Sequence, residues 1–214
     1  MNKAYIFDLD GTLLDSMRVW AQVDIEFITR RGLTVPDDYA EAISSMNFTR
    51  VAEYTIERFG LTDSPEDLLR EWTELAAYAY ANTVSLKPGA REYLASLREK
   101  GAKLAIATST LPRLCRLALE KHNITDWFDV ICNSEEVGVG KSRPDVFLLA
   151  AERLGVSPED CVVFEDILPA VKAAKSVSMT VCGVYDETSR EDWGEITKIS
   201  DYFIHDFVDI VGKI

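Results

Sequence analysis

Apolar residues fall into two regimes along this chain. Between residues 17 and 82 they recur every three or four positions, whereas from residue 86 onward short unbroken apolar runs alternate with such periodic stretches. Before both lies one short run, Ala4-Tyr5-Ile6-Phe7, which predicts a buried strand. Val19, Trp20, Val23, Phe27 and Ile28 then carry helical spacing over 16–31, and Gly32 stops it. Pro36-Asp37-Asp38 opens a short second helix through about Ser44. Thr49 is placed to cap a third, with Val51, Tyr54, Thr55, Ile56 and Phe59 on one side and Gly60 at its end. Ser64-Pro65-Glu66-Asp67 combines an N-cap, a proline at the first helical position and an acidic capping-box residue. The helix it starts runs to about Ala81, and no strand is predicted in 17–82.

The second regime begins after Leu86-Lys87-Pro88-Gly89. It predicts helix 89–99, strand Lys103–Ala107, helix 112–121, strand 128–132 and helix 144–154. Strand Cys161–Phe164, helix 168–175, strand Thr180–Val184 and a last short strand near Tyr202–Ile204 follow. Near-continuous apolar strands alternating with helices define an α/β fold, a doubly wound parallel sheet buried on both faces. The predicted organisation is a sheet domain made from 1–15 and 83–214, with a helical domain, 16–82, growing out of its first loop. Open parallel sheets bind ligands beyond the carboxyl ends of their strands. The insert leaves from that edge, so it is placed to cover a site there.

Composition narrows the function classes. The chain has 214 residues, of which 47% are hydrophobic, enough for a real core. No apolar run approaches the ~20 residues of a membrane helix. Met-Asn-Lys-Ala leads straight into the first strand without a signal-peptide pattern. Cys115, Cys132, Cys161 and Cys182 are scattered, with no Cys-x-x-Cys, and read as reduced, buried thiols rather than a zinc or disulfide framework. A cytoplasmic protein is expected, and a monomer. The formal net charge of −13 disfavours nucleic acid partners, and the lack of a long apolar run argues against a membrane partner. The same charge would equally repel a phosphorylated substrate, so an anionic substrate requires local positive charge from a divalent metal and placed basic residues.

The candidate chemistry lies at the predicted strand ends. Asp8 and Asp10 follow the first strand; residues two apart in extended chain point the same way, and Gly11 lets the chain turn away. By themselves two aspartates before a glycine are equally well read as an acidic turn. Thr108, Ser109 and Thr110 follow strand 103–107, Lys141 precedes helix 144–154 after a long loop, and Glu165-Asp166 follows strand 161–164. In a parallel sheet all of these share one edge. Two carboxylate pairs, a hydroxyl cluster and a lysine suit magnesium-dependent phosphoryl transfer, since Mg2+ is held by a few carboxylates plus phosphate oxygens.

In this arrangement the chain resembles the haloacid-dehalogenase-like (HAD) hydrolase superfamily, over its whole length. The helical insert after the first strand is similar to that of the subgroup containing beta-phosphoglucomutase and small-molecule phosphatases. Asp8-Leu9-Asp10-Gly11-Thr12 matches the family's first motif, Ala107-Thr108-Ser109 the second, Lys141 the third and Phe164-Glu165-Asp166 the fourth. The resemblance implies a Rossmann-like core with a helical cap and the following roles. Asp8 would be the nucleophile that forms an aspartyl-phosphate, and Asp10 the general acid and then base, its backbone carbonyl also on the metal. Thr108, with Ser109 beside it, would bind phosphate oxygens, and Lys141 would bridge Asp8 and the phosphoryl group. Mg2+ would be held by Asp8, Asp10, Asp166 and Glu165, the last directly or through water. The dehalogenase branch lacks the second aspartate, so Asp10 disfavours dehalogenation.

The expected activity is hydrolysis of a small phosphorylated metabolite such as a sugar phosphate, with a phosphosugar mutase as the alternative. The mutases that the chain resembles carry a histidine twelve residues after the nucleophile, where this chain has Trp20. They also carry a lysine late in the insert and another after the second motif. Here 73–83 contains no lysine, and Leu111-Pro112 follows the second motif. Phosphonate hydrolysis would need a Schiff-base lysine in the insert, and 16–82 contains none. Elsewhere the plainer readings stand. Thr110 is expected to cap helix 112–121, Arg113 and Arg143 to lie on the surface, and His122 and His205 to have no catalytic role. Phe27, Tyr54, Phe59 and Trp72 are expected in the insert core. Trp20 is set apart because it lies about one helix turn past the motif loop. Arg18, Asn47, Thr49 and Arg50 are the insert residues placed to meet substrate.

Overall fold

The computed structural model describes residues 4–210. Strand β1 (Ala4–Phe7) is followed by a two-residue strand β2 (Leu14–Asp15) and four helices: α1 (Met17–Arg30), α2 (Tyr39–Ile43), α3 (Phe48–Phe59) and α4 (Pro65–Asn82). The chain then passes through β3 (Ser85–Leu86), α5 (Ala90–Glu99), β4 (Lys103–Thr108), α6 (Pro112–Lys121), β5 (Val130–Asn133) and α7 (Ser134–Val137). It ends with α8 (Asp145–Leu154), β6 (Cys161–Glu165), α9 (Leu168–Ser176), β7 (Thr180–Val184), α10 (Trp193–Ile199) and β8 (Tyr202–Ile204).

The main sheet has six strands in the order β5-β4-β1-β6-β7-β8, all paired in parallel. β1 lies near its centre, flanked by β4 and β6, so Asp8 emerges between the ends that carry Thr108 and Glu165. The strand alternation sorts the core by face. Tyr5 and Phe7 pack on one side with Leu104, Ile106 and Phe164, while Ala4 and Ile6 pack on the other with Ala105, Val163 and Phe147. The first of these faces is continuous with the apolar interior of the helical segment, through Leu9, Leu13, Phe27, Trp72 and Tyr80.

The elements differ from the sequence expectation in instructive ways. β2 and β3 pair antiparallel, Leu14 with Leu86 and Asp15 with Ser85, and clasp the two ends of the helical segment. Neither was visible as a strand, because two residues are too few to show a period. Asn47, not Thr49, caps α3: its side chain accepts from the Arg50 N–H, which frees Thr49 for another partner. α6 is preceded by Leu111, and Thr110 bonds elsewhere. α7 and α10, four and seven residues long, also went unread in the sequence. The capping box at Ser64 and Asp67 forms as its spacing dictates. The four cysteines are buried and unbridged. Among the described residues no helix is long and apolar enough to cross a membrane.

Candidate active site

The site is built outward from the end of β1. The Asp8 N–H extends the ladder by donating to the Phe164 carbonyl at 3.0 Å. The chain then folds back on itself, the Leu13 and Leu14 N–H groups both donating to the Leu9 carbonyl, at 3.0 and 2.8 Å. Gly11 makes this turn at φ +83°, a conformation costly for any residue with a Cβ. A Cβ there would also sit 2.8 Å from Asp166 Cγ. Beside it the buried Thr12 hydroxyl donates to Asp166 Oδ1 at 2.9 Å.

Asp8, Glu165 and Asp166 form a buried cluster in which one oxygen from each lies within 4.8 Å of the others. Lys141, itself buried, donates from Nζ to Asp8 Oδ1 and to Glu165 Oε1, the latter at 2.6 Å. Glu165 Oε2 accepts the Asp166 and Ile167 N–H groups at 2.8 and 3.2 Å. One cation against three carboxylates leaves excess negative charge in a dry place. Burial pushes the Asp8 carboxyl up to about 7, against the opposing pull of Lys141 and with further upward push from Glu165. Burial, then Glu165 and Asp8, raises Asp166 well above its ordinary value. Burial alone would lower Lys141, but the charges and hydrogen bonds of Asp8 and Glu165 outweigh it and hold the ammonium form.

Asp166 Oδ2 is buried without a hydrogen-bond partner. An orphaned carboxylate oxygen next to two further carboxylates is costly unless a cation meets it. All-oxygen donors of this kind suit a hard divalent ion such as Mg2+, so the residues present fit the metal that the sequence reading implies.

Asp10 is held by a different set of partners. Ser16 Oγ and Tyr80 Oη donate to its Oδ1 at 2.6 and 2.5 Å, and Thr110 Oγ1 and Trp20 Nε1 to its Oδ2 at 2.6 and 3.2 Å. The Trp20 indole N–H also lies 2.7 Å from Tyr80 Oη, and its ring packs on Phe48 at 4.9 Å. Trp20 and Tyr80 thus bring the helical segment to Asp10. Tyr80 carried no signal in the sequence beyond its helical spacing, because its partner is 70 residues away.

The hydroxyl cluster is one connected loop. The Thr108 hydroxyl accepts the Thr110 N–H at 3.0 Å and lies 2.8 Å from the Thr110 hydroxyl. Asn133 Nδ2 donates to the Thr110 carbonyl at 2.7 Å, and Ser134 Oγ to Ser109 Oγ at 2.9 Å. Both of these supports come from the end of β5 and the start of α7, which is why the sequence did not reveal them.

The insert residues singled out in the sequence separate. Asn47, Thr49 and Arg50 line a cavity of about 560 Å3 together with Ser142 and Arg143. Arg18 lines another, of about 490 Å3, beside Lys87 and Asp186. Those two form a further buried ion pair at 3.0 Å, which sequence reasoning did not anticipate. Arg50 pairs with Glu53 and Arg143 with Asp145, both on the exposed side. His122 Nε2 donates to the Val84 carbonyl, and His205 packs against Tyr185.

A parallel α/β sheet with a buried carboxylate cluster and a lysine at its carboxyl edge is the frame of a hydrolase. The family profile of the haloacid dehalogenase-like hydrolases matches residues 2–178, and the chain belongs to that family. A phosphorylated carbohydrates phosphatase from Thermotoga maritima is 34% identical over 182 residues, 83% of this chain and 82% of the relative. Hexitol phosphatase A from Escherichia coli is 30% identical over 187 residues, 85% and 82% of the two chains. Among solved structures, CbbY from Rhodobacter sphaeroides in complex with phosphate superposes with a TM-score of 0.84 at 25% identity. It covers 98% of this chain and 96% of its own.

Proposed function

We propose that this chain is a magnesium-dependent phosphatase that hydrolyses a small phosphorylated metabolite, a sugar or sugar-alcohol monophosphate, through an aspartyl-phosphate on Asp8. The observation that carries the reading is the buried Asp8–Lys141–Glu165–Asp166 cluster, with its unpartnered Asp166 oxygen. The phosphatase names of the relatives support the reaction class and the substrate class.

In this reading residues 1–15 and 83–214 form the catalytic core, and 16–82 form a cap over its carboxyl edge. Asp8 attacks phosphorus. Lys141 bridges Asp8 and the phosphoryl oxygens, which the Thr108 hydroxyl and Ser109 also bind. Asp10 protonates the departing oxygen, then takes a proton from the water that cleaves the acyl phosphate. Asp8 and Asp166 would hold Mg2+ with the Asp10 backbone carbonyl, and Glu165 directly or through water. The ion supplies charge neutralisation for the phosphoryl group. Glu165 has both oxygens engaged, so its first task is to fix Lys141 and the turn after β6.

Hydrolysis is favoured over a mutase because the groups reaching Asp10 from the helical segment are the Ser16 and Tyr80 hydroxyls and the Trp20 indole, none of which titrates near neutral pH. The test is phosphate release from a panel of hexose, hexitol, pentose and glycerol phosphates with Mg2+ and with chelator. Metal-dependent turnover that is abolished in folded Asp8→Asn supports the proposal. Turnover retained in that variant refutes the nucleophile. Robust interconversion of beta-glucose 1-phosphate, given its bisphosphate activator, refutes the preference for water.

A further inference from the structure

The helical segment meets the carboxyl edge of the sheet at two separate places. One is Asp10, reached by Trp20 and Tyr80. The other lies across the sheet, where the loop before α3 rests on α7 and the loop after it. There Thr49 turns both of its polar groups onto one carboxylate. Its N–H donates to Glu135 Oε1 at 2.9 Å and its hydroxyl to Glu135 Oε2 at 2.8 Å. Beside this contact the two backbones touch. A Cβ added to Gly140 would run into the Ser45 carbonyl oxygen and lie 2.9 Å from Met46 Cα and 3.0 Å from the Asn47 nitrogen. The seam is therefore shaped as well as charged, and nothing larger than glycine fits its floor.

Glu135 is itself tied into the candidate site. Its N–H donates to Asn133 Oδ1 at 2.9 Å, and Asn133 Nδ2 donates to the Thr110 carbonyl at 2.7 Å. Thr110 Oγ1 in turn donates to Asp10 Oδ2 at 2.6 Å. Hydrogen bonds joined through the covalent frames of Glu135, Asn133 and Thr110 thus lead from the tip of the helical segment to Asp10, arriving on the oxygen that Trp20 also contacts. Paired hydrogen bonds onto a single carboxylate are among the stronger and more directional ones, so the Thr49 contact can set a position where a lone surface ion pair would not.

We propose that Glu135 is a positioning residue for the reaction. It is the receptor on which the helical segment seats, and through Asn133 and Thr110 it links that seating to the orientation of Asp10. The proposal rests on the reading of Asp10 as the acid and base.

The test uses the full chain and the variants Glu135→Ala, Thr49→Val, Thr49→Ser, the double Glu135→Ala/Thr49→Val, and Gly140→Ala. Steady-state kinetics on the best monophosphate of the panel is combined with small-angle scattering and thermal melting. Glu135→Ala is expected to lower kcat about tenfold, the effect of one charge-assisted hydrogen bond. Thr49→Val should follow it, the double variant should be no worse than Glu135→Ala, and Thr49→Ser should recover wild-type kcat. The radius of gyration should rise in Glu135→Ala and in Gly140→Ala, while Glu135→Ala and Thr49→Val keep a single cooperative melting transition. Wild-type kcat and radius in Glu135→Ala would overturn the proposal. So would additive losses in the double variant, or a Thr49→Ser as impaired as Thr49→Val. If the wild type releases no phosphate, the phosphatase reading fails on its own, and the scattering comparison still decides whether Glu135 seats the segment.

Discussion

The Tyr80 hydroxyl donates to Asp10 Oδ1 at 2.5 Å from the far end of α4. It is fully buried, and burial together with the Asp10 charge holds the phenol well above its ordinary range. Tyr80 is therefore a fixed donor at any working pH. Tyr80→Phe removes that donor and keeps the ring against Trp20. The expected outcome is a loss of about tenfold in kcat with KM nearly unchanged, the size of one hydrogen bond to a charged group. Steady-state kinetics checks it, and an unchanged kcat would remove Tyr80 from the mechanism.

In the proposed mechanism Mg2+ binds the native carboxylate cluster and not the unfolded chain, so the ion should stabilise the fold. At a hundred times its dissociation constant it adds about 2.7 kcal/mol, worth roughly 5–10 °C of melting temperature for a chain of this size. Asp166→Asn should abolish most of that gain. Differential scanning calorimetry with Mg2+ and with chelator measures it. A Mg2+ shift that survives in Asp166→Asn would place the ion elsewhere.

The two ends of the Lys141–Asp8 contact should respond in opposite directions. Lys141→Ala strands the buried negative charge of Asp8 and Glu165 and should cost about 3–5 kcal/mol. Asp8→Asn removes charge from a place where burial pushes the carboxyl up to about 7. The folded value lies above the unfolded one, so stability is lost as the pH rises from the unfolded value near 3.8 toward about 7. At pH 8 without metal, Asp8→Asn should thus melt at or above wild type. Chemical denaturation of the two variants, side by side, separates these expectations.

Asp24, on α1, gives an independent pH signature away from the catalytic edge. Burial pushes its carboxyl up to about 7. Between the unfolded value near 3.8 and the folded value, the native state keeps a proton that the unfolded state has lost. Its contribution to stability is therefore complete below the unfolded value and is lost as pH rises toward 7. Asp24→Asn should match wild type near pH 4 and exceed it at pH 8. Denaturation curves at the two pH values test the sign, and a variant no more stable at pH 8 would contradict it.

Much of this molecule was legible in one dimension. Local periodicity marks α1, α3, α4 and the six strands of the main sheet, since a helix stripe or a buried strand is a property of neighbouring residues. The capping box at Ser64 was equally plain. Asp8, Asp10, Thr108, Lys141, Glu165 and Asp166 stood at strand ends, and a parallel sheet has no choice but to gather such ends on one edge. The sequence alone thus determined the fold class and which reactive groups share one sheet edge, while the strand order came from the structure.

What it could not determine was which partners those groups find. Thr110 looked like a helix cap and is instead a donor to Asp10. Thr49 looked like another cap and binds Glu135, 86 residues away, while Asn47 takes the capping position. Trp20 was marked only by its nearness to the motif loop and Tyr80 by nothing beyond helical spacing, and they meet where the two helices approach beside Asp10. The short strands β2 and β3 acquire their identity from each other. In every case the decisive contact joins residues far apart in the chain. Its energy depends on where packing of the whole fold puts each donor and on how dry the place is, and no local pattern encodes either quantity.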